Sequence, residues 1–320
     1  MLVEFFKKRD LLVVFILASS ALAGCNATTA ETEVEPSQTA VQLIEPEQAK
    51  QQSREALDSA NLAFQAKYYF EAEALFHNAL KLQPDNVEAR YGIGELYLAT
   101  NRASQSISVY SGLFLDEKLS ARAWQGSGLA YLAVRDLEQA KTQLTMAIEK
   151  DETLWRAWNG LGIVHDARHE FADAELAYLT AKSLNPNSSA VYNNLGMSYM
   201  ARKLYDQAEK QFVTALKINP GLSIAETNLR FSLAWQGEYV HALSGMKKDR
   251  WAEALNNVGY IALQREDLVS AEAYFIRAIE LSPSYHKAAH KNLRILHELF
   301  PDYKKGTEGG IFAAAGLNKT

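Results

Sequence analysis

Residues 155–186 read WRAWNGLGIVHDARHEFADAELAYLTAKSLNP. In this stretch Gly162 is followed by Ala174, then by the bulky Tyr178, by Ala181 and by Pro186. The same order recurs along the chain at a stride of 34 residues. Ala60, Gly94, Gly128, Gly162, Gly196 and Arg230 form a first column, resumed at Gly259 after a step of 29. Ala72, Ser106, Ala140, Ala174, Ala208, Ala242 and Ala271 form a second. Bulky residues form a third, namely Phe76, Tyr110, Leu144, Tyr178, Phe212, Met246 and Phe275. Three residues further on stand Ala79, Leu113, Ala147, Ala181, Ala215, Asp249 and Ala278, and Pro84, Pro186, Pro220 and Pro283 close four of the units.

These columns describe paired antiparallel helices. A glycine in helix A and an alanine in helix B have almost no side chain to hold two axes apart, so the bulky column fills the space that remains. Proline lacks the amide that a continuing helix needs, so it stops helix B and turns the chain into the next unit. Asp85, Asn187 and Ser284, just after a proline, are suited to cap the helix that follows.

Composition agrees with an all-α chain. Of 320 residues, 48% are hydrophobic and 22% charged, with only 7 prolines and 17 glycines. A net charge of −5 supplies no broad positive field for phosphate backbones, which argues against nucleic acid as a partner. A single cysteine excludes an internal disulfide and any multi-cysteine zinc site.

Trp158, Leu161, Gly162, Phe171, Ala174, Tyr178, Ala181 and Pro186 resemble the tetratricopeptide repeat (TPR) pattern. So do Tyr192, Leu195, Gly196, Tyr199, Tyr205, Ala208, Phe212, Ala215 and Pro220. The resemblance implies a TPR superhelix of about seven helix pairs, starting near residues 53, 87, 121, 155, 189, 223 and 252. A capping helix is expected over 285–300, so that the solenoid domain spans 53–300. The sixth unit departs from the pattern, with Arg230 at the glycine position and five residues missing between Tyr239 and Trp251. Either a regular but shortened helix pair or a local break fits that stretch.

At the N-terminus Lys7, Lys8 and Arg9 precede an apolar run from Leu11 to Ala18, the order of a secretory signal and too short to span a bilayer as a helix. The tetrad Leu22-Ala23-Gly24-Cys25 resembles the bacterial lipobox. That resemblance implies cleavage before Cys25 and lipidation of Cys25, with residues 1–24 as the signal peptide. Several acyl chains, at about 0.8 kcal/mol per buried methylene, would hold such a protein to one leaflet. Asn26, where Asp marks inner-membrane retention in enteric bacteria, implies an outer-membrane anchor facing the periplasm. Residues 25–52 are rich in Ala, Thr, Glu, Gln and Pro and read as a flexible tether with a reach of roughly 30 Å. The tail 301–320 reads as flexible, with an apolar piece from Ile311 to Leu317 that is a candidate docking segment.

No catalytic set stands out, and an enzyme, a cofactor and a resident metal are all unexpected. His165, Asp166, His169 and Glu170 approximate the His-Glu-x-x-His of zinc proteases, but Asp replaces the essential Glu. His165 falls on the packing position held by Tyr97, Tyr131 and Tyr199, and His169 falls in the turn. His286, His290 and His297 share a face of the capping helix, more in keeping with a solvent-facing stripe than with a metal site. The pairs Gly92/Gly94, Gly126/Gly128 and Gly160/Gly162 lack the preceding strand and third glycine of a dinucleotide loop and read as close-packing residues.

The TPR resemblance implies a partner-binding groove lined by positions 2, 5, 9 and 12 of each helix A. In this chain those positions supply Arg122, Gln125, Leu129, Leu132, Arg156, Asn159, Ile163 and Asp166. Further along they supply Asn193, Met197, Met200, Thr227, Phe231, Asn256, Tyr260 and Leu263. Amide side chains beside flexible Met suit a protein or peptide ligand. The lipobox followed by TPRs is similar to the lipoprotein of tight-adherence (Tad/Flp) pilus assembly. The likeness extends to Asn228-Leu229, Gln236-Gly237, Ala254 through Tyr260, Leu281-Ser282-Pro283 and Asn292-Leu293. It implies a pilotin-like factor for pilus biogenesis or its outer-membrane secretin. TPR lipoproteins that serve cell-wall hydrolases or outer-membrane protein assembly are the alternative.

Overall fold

The computed structural model describes residues 45–281, 286–301 and 303. Cys25, the signal segment, most of the expected tether and the tail beyond Tyr303 lie outside the described residues. Every regular element among those described is helical, and none of these helices is long and apolar enough to cross a membrane. The chain divides between Asn185 and Pro186 into two compact units.

The unit before that boundary holds four helix pairs: α1 (Pro46–Gln65) with α2 (Tyr69–Leu82), α3 (Val87–Ala99) with α4 (Ala103–Ser111), α5 (Ser120–Ala133) with α6 (Leu137–Lys150), and α7 (Trp155–Ala167) with α8 (Phe171–Leu184). Each helix packs on its chain neighbours, and the A helices α1, α3, α5 and α7 also touch in sequence. The second unit holds α9 (Ser189–Ala201) with α10 (Tyr205–Ile218), α11 (Ser223–Gln236) with the short α12 (Tyr239–Leu243), and α13 (Trp251–Gln264) with α14 (Leu268–Leu281). The capping helix, α15 (His286–Leu299), packs on α14 and α13.

Within the units, the columns meet as their residue types predict. A Cβ added to Gly162 would stand 2.6 Å from Tyr178 Cε1, and one on Gly196 would stand 2.5 Å from Phe212 Cε1. The bulky residue is clasped from both sides where the next repeat also offers glycine. Tyr110 is enclosed between Gly94 of its own repeat, 2.7 Å from a virtual Cβ, and Gly126 of the next, at 2.3 Å. Phe76 meets Gly92 in the same way, at 2.3 Å, so the paired glycines are packing residues. Phe76, Tyr110, Leu144, Tyr178, Phe212 and Phe275 are all fully buried.

A second regularity was not visible in the residue types. The residue between helix A and helix B is left-handed in every repeat: Lys67, Asn101, Arg135, His169, Lys203, Gly237 and Glu266 have φ between 61° and 91°. The next amide then donates back to the carbonyl five residues earlier, as Glu170 N–H does to His165 O at 2.9 Å and Leu204 N–H to Tyr199 O at 2.9 Å. This closes the end of helix A by satisfying one of its free carbonyls. Only Gly237 is free of the steric cost of that conformation.

One expectation needs correction, and one open alternative is decided. The helix of the first repeat begins at Pro46, so the tether does not run to residue 52. Proline at the first helical turn is pre-set for helix, and Glu47, Gln48, Ala49 and Lys50 extend it with good helix formers. In the sixth repeat, helix B breaks after five residues. Met246 is only half-buried and Asp249 is exposed, so neither occupies its column. Arg230, at the glycine position, takes over part of the role: its Nη1 donates to Ala242 O at 2.7 Å and Ser244 O at 2.8 Å, while Nη2 pairs with Glu226 at 2.8 Å. A guanidinium thus satisfies carbonyls that a longer helix would have used itself.

Candidate partner-binding faces

In the unit formed by residues 45–185, the expected groove positions separate into three groups. Gln125, Leu129 and Asp166 are buried, and Asp166 accepts a hydrogen bond from Tyr178 OH at 3.0 Å. They belong to the helix interfaces, which corrects their expected place on a binding face. Arg122 is exposed, with its guanidinium 5.1 Å from the centre of the Tyr91 ring. Leu132, Asn159 and Ile163 are half-buried.

Arg156 is committed to a partner inside the chain. Its Nη1 donates to Glu95 Oε2 at 2.8 Å, linking helix α7 to helix α3. Glu95 also accepts from Tyr110 OH at 2.6 Å and from Tyr91 OH at 3.2 Å. Its side chain is 17% exposed, and burial alone would push its pKa up. The positive charge of Arg156 and the three donated hydrogen bonds outweigh burial, and the carboxyl titrates below its ordinary value of 4.5. Both tyrosines shift upward, first because burial disfavours the phenolate and then because Glu95 is negative. Glu95 occupies position 9 of its repeat, a groove position by the same counting. Its role was missed because the partner lies two repeats away, and a spacing of 61 residues gives no local signal.

In residues 186–303 the asparagines act as staples between successive A helices. Asn228 Nδ2 donates to Asn193 Oδ1 at 3.0 Å, and Asn292 Nδ2 donates to Asn256 Oδ1 at 2.9 Å. Asn193 and Asn256 are only 8% and 7% exposed, so their carbonyls serve the fold rather than an incoming peptide backbone. Leu263 is buried as well. Thr227 donates to Ser223 O in its own helix at 3.0 Å. Met197, Met200, Phe231 and Tyr260 are half-buried. Met197, Phe231 and Tyr260 hold position 9 on α9, α11 and α13, A helices that contact one another in that order, so they form a row of large, adaptable side chains partly open to solvent.

His165 and His169 hold different places in the fourth repeat. His169 is the left-handed turn residue, its ring 5.7 Å from Phe171, whereas His165 Nδ1 lies 2.5 Å from Glu170 Oε2. On α15, His290 is exposed, and His297 is half-buried with Nε2 3.0 Å from the buried Glu272. Tyr303 OH donates to the other oxygen of the same carboxylate at 3.1 Å, so the capping helix is pinned through α14. His297 is therefore part of a packing interface and not of a solvent-facing stripe.

Four family profiles, each described as tetratricopeptide repeat, match residues 63–130, 126–189, 189–222 and 252–285. Together they cover more than half of the chain. It belongs to the tetratricopeptide-repeat family. Proteins of this family act as scaffolds for protein–protein interaction and are typically not enzymes, and TPRs imply protein or peptide partners. No curated protein sequence matches the chain. Among solved structures, the thermophilic TPR protein TTC0263 of Thermus thermophilus aligns over 57% of this chain and 98% of its own, with 21% identity and a TM-score of 0.52. The Cut9–Hcn1 hetero-tetramer of the APC/C aligns over 81% of this chain and 55% of its own, at 17% identity and TM-score 0.50. PilF of Pseudomonas aeruginosa aligns over 80% and 99%, at 15% identity and TM-score 0.48. At these identities the likeness is one of fold.

Proposed function

We propose that this TPR chain is a lipid-anchored scaffold that holds a protein partner in the periplasm, as a pilotin-like assembly factor for the Flp/Tad pilus or its outer-membrane secretin. The observation that carries the binding role is the row Met197, Phe231 and Tyr260. Three successive A helices present large apolar side chains that are not fully withdrawn from water. Flexible thioether and ring surfaces of this kind adapt to varied apolar side chains of a bound segment. The anchor rests on the Leu22-Ala23-Gly24-Cys25 tetrad that follows the Leu11–Ala18 apolar run, and the pilus assignment on the sequence likeness between Asn228 and Leu293. Tethering explains how such a scaffold works. A partner captured on the row is confined near one leaflet, and its effective concentration for the next assembly step rises.

The test is capture from detergent-solubilised membranes with the full-length protein, compared with Met197→Glu/Tyr260→Glu and with Cys25→Ser. Secretin or pilus components should accompany the parent protein and be lost from the double variant, and Cys25→Ser should leave the membrane fraction. Unchanged capture by the double variant rejects the row as the binding face. Wall hydrolases or outer-membrane insertion factors in place of pilus components would move the assignment to those systems.

A further inference from the structure

The turn between helix A and helix B brings the eleventh and sixteenth residues of a repeat together, because the amide of the later residue donates to the carbonyl of the earlier. Arg102 N–H bonds Tyr97 O at 2.7 Å, Asp136 N–H bonds Tyr131 O at 3.0 Å, and Glu170 N–H bonds His165 O at 2.9 Å. In the second repeat this slot holds a cation–π contact, with the Arg102 guanidinium 4.3 Å from the Tyr97 ring centre. The fourth repeat fills it with an imidazole and a carboxylate. His165 Nδ1 stands 2.5 Å from Glu170 Oε2.

A third ligand-bearing residue joins them. Asp173 lies in the first turn of α8, at the position occupied by Gln105, Gln139 and Gln207 in neighbouring repeats. One donor atom each from His165, Glu170 and Asp173 falls within 4.8 Å of the other two. We propose that these three side chains form a Zn²⁺ site that clips the end of α7 to the start of α8.

Zinc takes imidazole nitrogen at about 2.0–2.1 Å and carboxylate oxygen at about 2.0–2.2 Å in a tetrahedron, which sets donors roughly 3.3 Å apart. His165 and Glu170, 2.5 Å apart, must open to that separation, and Asp173, an exposed side chain, must close on both. Water completes the fourth position. Zinc takes the place of the proton that lies between Nδ1 and Glu170 Oε2, and the neutral imidazole binds it through Nδ1 with its N–H on Nε2. Two cations stand nearby. Lys141 Nζ is 3.9 Å from Glu170 Oε2 on a flexible, partly exposed side chain that can swing away, and Arg168 is already paired with Glu138. Two carboxylates against one displaceable ammonium leave the site favourable to a divalent cation.

Neighbouring repeats provide the controls. His165→Tyr and Asp173→Gln each install the residue that Tyr97, Tyr131 and Tyr199, or Gln105, Gln139 and Gln207, already provide in the same fold. The tag-free full-length chain is titrated with Co²⁺, followed by its visible absorption, and then with Zn²⁺, followed by calorimetry. One equivalent of Co²⁺ with d–d bands, displaced by Zn²⁺ and weakened by more than about tenfold in each variant, is the expected result. His290→Gln, on the capping helix, should leave the titration unchanged. Binding that persists in both variants, that disappears in His290→Gln, or that is absent from the parent protein overturns the proposal. Should His165→Tyr fail to fold, Asp173→Gln at an exposed position decides the outcome alone.

Discussion

The phenol of Tyr110 donates to the carboxylate of Glu95 at 2.6 Å, while the ring of the same residue is packed against Gly94. One side chain therefore serves both the packing between repeats and a charged network on the A helices. Tyr110→Phe retains the ring and removes the donor. The loss of a hydrogen bond to a charged acceptor should cost about 1.5–3 kcal/mol, read as a lower urea midpoint at unchanged slope.

The glycine columns make a sharper test of close packing. Gly162→Ala places a methyl about where Tyr178 Cε1 already stands, 2.6 Å away, and both partners are buried. Overpacking of this kind should destabilise by roughly 1–3 kcal/mol. Gly112→Ala is the control. Its added Cβ meets only Val109 O at 3.5 Å and its backbone is right-handed, so the substitution should be neutral or stabilise by up to about 1 kcal/mol.

The left-handed turns predict opposite effects at equivalent positions. Gly237→Ala forces a side chain into φ 91° with Arg265 Nη2 3.1 Å away, and should cost about 1–2 kcal/mol. Lys203→Gly, at φ 61°, relieves that steric cost while giving the unfolded chain more freedom. Thermal melts should show a clear fall for the first substitution and a shift equivalent to no more than about 1 kcal/mol, in the stabilising direction, for the second.

Glu95 sets an acid limb. Its pKa is depressed in the folded chain, so the unfolded chain binds the proton more readily, and the stabilisation from the Arg156 pair is complete above the ordinary value of 4.5. It is lost as pH falls through the lower folded value. In Glu95→Gln that part of the pH dependence should vanish, with an overall cost near 2 kcal/mol at neutral pH because Arg156 loses its partner. A stability profile from pH 7 to 3 that keeps the parent's slope in the variant would remove Glu95 from this role.

Much of this architecture was legible in the residues. Gly162 opposite Tyr178 and Gly196 opposite Phe212 are pairs that the 34-residue stride puts in adjacent columns, and steric exclusion permits little else. The turn at Lys67, Arg135 and Lys203 was not legible, since none of those residues favours positive φ. There the packing of the two helices imposes a conformation that local preference opposes. The binding face was only partly readable. Counting places Arg156, Asn193 and Asn256 on a groove, but only the fold reveals that Glu95, Asn228 and Asn292 already hold them. In the sixth repeat the sequence signalled an irregularity without its form, because Arg230 bonds to Ala242 and Ser244 through carbonyls that any residue carries.

The clasp around Tyr110, with one wall from Gly94 and the other from Gly126, sets where this array can be cut. A repeat excised at its proline and grafted elsewhere would take its ring along and leave half of the ring's socket behind. A module offset by half a period, helix B of one repeat with helix A of the next, keeps the Gly126 wall and loses the Gly94 wall instead. The smallest piece that carries the ring with its whole socket is three helices long: both helices of one repeat and the first of the next.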